Sequence, residues 1–195
     1  MPLLARDNRI FVRTLLLSCL TKYYAPLWQD AWSNDYRKDT WTKFDSRLPN
    51  SSFANLAETW SYATPLRTDY ARRQALVEID VLVARTLGLT CDDLCTIYRI
   101  QFPILRQYER ETWYDAKGRI VSISDNQTKE IDFTKKEWEK MKDAPAGKVF
   151  TRTVVDNWLP DAPTRTIEYV APFDRCDREE DYRTAWAAFD AREGK

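Results

Sequence analysis

Residues 66–115, LRTDYARRQALVEIDVLVARTLGLTCDDLCTIYRIQFPILRQYERETWYD, constrain the fold most, because they spell two helices joined by a one-glycine corner. Thr64 followed by Pro65 predicts the start of the first, a capping hydroxyl and then a proline where a missing N–H costs nothing. Tyr70, Leu76 with Val77, Val81 and Ala84 recur at helical spacing and predict its buried face, with Arg67, Arg72, Arg73 and Arg85 on the polar face. Gly88 predicts the end, since a left-handed residue closes a helix there. Thr90 with Asp93 three residues on is a variant capping box, and the second helix carries Leu94, Ile97, Tyr98 and Phe102 as far as Pro103.

On either side the period changes. Residues 9–28 predict one amphipathic helix, with Ile10, Phe11, Leu15, Leu17, Leu20 and Tyr24 set against Arg6, Arg13 and Lys22. Residues 29–63 are polar and aromatic; Trp32, Tyr36, Trp41, Phe44, Phe53, Trp60 and Tyr62 read as rings clamped on the central helices, with a short helix near 53–61. The other reading of these rings is that they stack on bases. Beyond Pro103 the helix runs on to Thr112, and Asp115 to Gly118 then turns a hairpin between two short apolar runs. A polar excursion over 122–129 precedes Thr134 and Glu137, a capping box for a short helix carrying Trp138 and Met141. Alternating strands follow over 148–156 and 164–170, and Asp177 caps a last helix with Tyr182, Trp186 and Phe189 on one stripe. The fold class is α+β, mainly helical: N-terminal and central helices, then a small antiparallel β region and a C-terminal helix. Residues 1–114 read as a mainly helical module and 115–195 as a small appendage packed on it, or the whole as one domain.

Composition removes whole classes of chemistry. The chain has no histidine, which excludes Ser-His-Asp and Cys-His catalysis and His-ligated metal sites. Its four glycines, none paired, cannot build a cofactor or phosphate loop. A nuclease-like Glu-x-Lys occurs only at Glu193 to Lys195. Cys19, Cys91, Cys95 and Cys176 lack a ligand pattern and read as small buried hydrophobes of a reducing, cytoplasmic setting. No metal, cofactor or catalytic residue is therefore expected, and the short apolar run at 15–20 predicts no membrane span. Thirty basic residues balance thirty acidic ones, so nucleic-acid contact requires a local patch.

Two constellations stand out. Glu78 and Asp80 interrupt an apolar run, and a carboxylate beside a core face is costly unless paired, so one of them is expected to form a structural ion pair with an arginine such as Arg72, Arg73, Arg99 or Arg106. Further on, Arg99, Arg106, Tyr108, Arg110, Trp113, Lys117 and Arg119 interleave cations with rings at a helix end and hairpin, which suits contact with a phosphate backbone and groove of double-stranded DNA. Interleaved Glu109 and Glu111 equally suit a solvated helix face.

The wording of residues 68–121, TDYARRQALVEIDVLVARTLGLTCDDLCTIYRIQFPILRQYERETWYDAKGRIV, resembles the far C-terminal region of large bacterial adenine-specific DNA methyltransferases of the type IIG restriction-modification and phage-defence class. FTRTVVDN at 150–157 and RTIEYVAPFDRCDREEDYRTAWAAF at 165–189 look like the closing segment of the same proteins. In that family cofactor binding and methyl transfer belong to an upstream domain, and none of its catalytic motifs maps here. The resemblance implies a non-catalytic C-terminal module or subunit that helps hold DNA, or docks onto the methyltransferase body or other defence-system subunits. The alternative is a structural protein–protein interaction module with no nucleic-acid binding.

Overall fold

The computed structural model describes residues 7–49, 51–126, 129–157 and 159–194. Arg6, Lys195 and two residues of the 122–129 excursion, named in the sequence reading, lie outside them. The fold is mainly helical α+β, with two small antiparallel sheets. The chain divides into two compact units, Met1–Arg106 with Asp177–Lys195, and Gln107–Cys176. The closing helix thus belongs with the N-terminal unit, a grouping different from a split at 114/115.

In the first unit, α1 (Asn8–Ser18) is capped by Asp7, whose side chain accepts from Arg9 N. It stops at Cys19, short of the expected single helix over 9–28, because Thr21 is extended. A 3-10 turn then leads into α2 (Ala25–Ala31), where Pro26 occupies the first turn, which needs no proline N–H. The aromatic segment is ordered: Tyr36, Trp41 and Phe53 are buried, as is Trp28 just before it, and the short helix expected near 53–61 is instead the four residues of α3 (Ser51–Ala54), with 55–61 in turns and irregular chain. Phe44 and Tyr62 instead face solvent.

The central helix α4 (Asp69–Thr86) starts four residues later than Thr64-Pro65 predicts, with Thr68 accepting from Ala71 N. Thr64 serves the preceding turn instead, its hydroxyl accepting from Ser61 N at 2.8 Å. At the other end the N–H groups of Gly88 and Leu89 donate to the carbonyls of Arg85 and Ala84, a Schellman closure that needs the left-handed φ of +76° at Gly88. Thr90 and Asp93 form the full capping box of α5 (Cys91–Gln101), and α6 (Pro103–Glu111) follows. α8 (Arg178–Glu193) is capped by Asp177 and returns to α4 and α5; Val77, Val81, Leu82, Leu94, Cys95, Tyr182 and Phe189 form one core.

The second unit is built from β1 (Trp113–Tyr114) and β2 (Ile120–Val121), α7 (Lys135–Met141), and β3 (Val149–Val155) paired with β4 (Thr164–Val170). Asp115, fully buried, holds the first hairpin: its carboxylate accepts from Lys117 N, Arg119 N and, across to the other sheet, Val170 N. Trp138, Met141, Val154, Ile167, Tyr169 and Phe173 close its core.

Candidate functional site

The first unit has an open, largely apolar groove of about 440 Å³. Its walls are Leu76, Val83 and Leu87 from α4, Ile97 and Tyr98 from α5, and Phe102 and Leu105 at the α5–α6 junction. The helical period predicts Leu76, Ile97 and Phe102 inside the core, yet all three are exposed. α4 packs on α1 and α8, which leaves the edge carrying Leu76 uncovered, and the α5–α6 break turns Phe102 out. Ile100 (67% exposed) and Ile104 (62%) extend the same apolar character along α5 and α6, and α6 buries none of its residues.

One end of the groove is polar. Arg178 donates to Asp80 at 2.9 Å, the Tyr182 hydroxyl donates to the same carboxylate oxygen at 2.7 Å, and the Tyr98 and Tyr182 rings meet edge to face at 5.9 Å. Burial, reinforced by the Asp80 charge, pushes the Tyr182 phenol above its ordinary range. These groups satisfy one another, so the cluster fixes the groove's end and offers no activated base or nucleophile. The nearby thiol of Cys95 is likewise quiet, since burial pushes it up to about 11. Among the described residues no group of three or more His, Cys, Asp or Glu side chains is placed to hold a metal ion, and no helix is long and apolar enough to cross a membrane.

The carboxylates flagged in the sequence do form ion pairs, with partners that spacing could not supply. Glu78 is buried against Arg13 (2.6 Å), Asp80 meets Arg178, and Arg73 meets Asp181 at 2.6 Å. Arg72 instead donates to the carbonyls of Leu17 and Leu66. Arg13, expected on a polar face, is fully buried, and it also bonds Asp39 and the carbonyls of Arg9 and Thr40. Burial opposes its charge, but Glu78 and Asp39 hold it protonated. A signal was available: Arg13 lies one helical turn from Leu16, on an apolar flank.

The seven residues proposed for DNA contact are divided between the units. In the first, Arg99 Nε lies 3.6 Å from Glu179, and Arg106 donates to the Arg99 carbonyl. In the second, Lys117 pairs with Glu168 at 3.1 Å, and Arg119 lies over Tyr169. Trp113 is packed between Trp138 and the Arg175 guanidinium. Tyr108 and Arg110 are exposed on α6. Comparisons of the chain with protein-family models, with curated proteins and with solved structures give no match.

Proposed function

We propose that this chain is a non-catalytic assembly module of a bacterial DNA adenine methyltransferase system, of the restriction-modification or phage-defence kind, and that it seats an apolar segment of the methyltransferase body in the groove between α4 and α5. The observation that carries the assembly role is the groove itself: an open, largely apolar trough whose character is continued by the exposed Ile100 and Ile104. The methyltransferase part of the reading rests on the wording of residues 68–121 and 165–189. Assembly is favoured over phosphate contact at the α5–β2 cations, because Arg99 and Lys117 already lie beside carboxylates, which offset the charge a phosphate would meet.

The test is co-expression with an adenine methyltransferase encoded beside it, followed by co-purification. Leu76→Glu with Leu87→Glu places two charges on exposed groove walls, leaves the core intact, and is expected to weaken the complex at least tenfold. A complex that forms equally well with the double variant overturns the docking surface; failure of the unaltered chain to form one overturns the methyltransferase assignment.

A further inference from the structure

The segment 60–67 is pinned along the end of α1 by backbone acceptors. Trp60 Nε1 donates to the Cys19 carbonyl at 2.8 Å and Leu66 N to the Leu16 carbonyl at 3.0 Å. Arg67 completes the seam: Nε donates to the Tyr62 carbonyl, and Nη2 to the carbonyls of Leu20 (3.0 Å) and Tyr62 (2.9 Å). Its guanidinium lies 4.0 Å from the centre of the Tyr62 ring. Arg67 is therefore immobilised without a carboxylate, and the two hydrogens on Nη1 meet no acceptor among the described residues. Three residues beyond Leu20, Tyr23 is 83% exposed with Lys22 Nζ 5.8 Å from its ring centre, and Tyr62 is 75% exposed. Lys22 also has no carboxylate partner among the described residues.

A fixed cation with no carboxylate beside it, next to two solvent-exposed rings, asks for a ligand bearing both an anion and an exposed π face. An acidic peptide without aromatic side chains supplies only the anion, and duplex DNA hides its base faces in the stack. Unpaired nucleotides supply both, and holding Arg67 in place beforehand lowers the ordering cost of binding. We infer that Lys22, Tyr23, Tyr62 and Arg67 form a binding surface for single-stranded nucleic acid, the rings stacking on unpaired bases and the cations meeting backbone phosphates. This surface is separate from the groove, and it stands whether or not a partner docks there.

The full chain is titrated with a labelled oligothymidylate of about twelve nucleotides, by fluorescence anisotropy over a range of salt. Two phosphate contacts give a log–log salt slope of about −1.4, and Arg67→Gln reduces it to about −0.7. Tyr23→Ala, at an exposed position where folding is not at stake, weakens binding about tenfold, and Tyr23→Phe retains it. No binding at low salt, a duplex of the same length bound as tightly, or affinity unmoved by Tyr23→Ala overturns the inference. Loss of binding in Tyr23→Phe also overturns it, because the ring would then not be the contact.

Discussion

Removing Glu78 tests whether a buried ion network organises the first unit. The Glu78 carboxylate accepts from Arg13 Nε at 2.6 Å, Thr42 N at 2.9 Å, Thr42 Oγ1 at 2.6 Å and Gln74 Nε2 at 3.0 Å, with no solvent exposure. In Glu78→Ala the Thr42 N–H is left buried without its acceptor, which costs about 1–3 kcal/mol. Arg13 keeps Asp39 but loses half its compensation, and breaking a buried pair costs about 3–5 kcal/mol in all. These figures overlap, so the expected loss is about 4 kcal/mol. Arg13→Met is expected to cost at least as much, because Glu78 and Asp39 then face each other with Arg192, 3.7 Å from Asp39, as the remaining cation. Replacing the set together, Arg13→Met with Glu78→Leu and Asp39→Asn, removes the unpaired charges but still leaves the Thr42 N–H without its acceptor, so it is expected to recover only the part of the loss due to charge, about 1–3 kcal/mol.

Native-state hydrogen exchange read by mass spectrometry separates the two units, which a single melting curve does not. Peptides from α1 and α4 are expected to exchange about a thousandfold faster in Glu78→Ala, the equivalent of about 4 kcal/mol, while peptides from β3 and β4 stay unchanged. A loss below about 1 kcal/mol, or a triple variant no better than either single one, would refute the reasoning, since both outcomes mean the carboxylate is not compensating Arg13.

Other consequences are equally measurable. Gly88→Ala forces a side chain into φ +76° and is expected to destabilise the first unit by about 1–2 kcal/mol in urea unfolding, although the Cβ itself meets open space. Asp115→Ala strands three backbone N–H groups in the second unit and is expected to cost about 2–4 kcal/mol, with hairpin amides losing exchange protection first. Burial works to raise the Asp45 carboxyl, but bonds from Arg47 and Tyr70 hold it at about 2, below its ordinary 3.8. Its folded pKa is depressed, so its contribution is complete above about pH 4 and disappears as pH falls through about 2; Asp45→Asn should flatten the acid limb of stability in that window. The Cys95 thiol, pushed up to about 11 and buried, is expected to resist a thiol reagent at pH 8 until denaturant is added.

Local chemistry determined where most elements lie. The capping boxes at Thr90 and Thr134, the Asp177 cap, the glycine closure at Gly88 and the alternation in β3 and β4 depend on bonds between residues a few positions apart, so the order of residue types contains them. The same economy explains the misplaced start of α4: Thr64 and Thr68 both precede a helix-like run, and the turn at Ser61 decides which hydroxyl is spent. Which face of a helix is covered is a different kind of fact. Leu76 and Arg13 sit at positions of opposite expectation, the leucine exposed and the arginine sealed, because Arg13 meets Glu78 and Asp39 from sites 65 and 26 residues away. Ion pairing across such separations depends on how helices meet, and no period within one helix encodes it. The groove has the same origin: the stretch 66–115 specifies two capped helices, and only the packing of α1 and α8 on α4 decides which of its apolar side chains remain open to a partner.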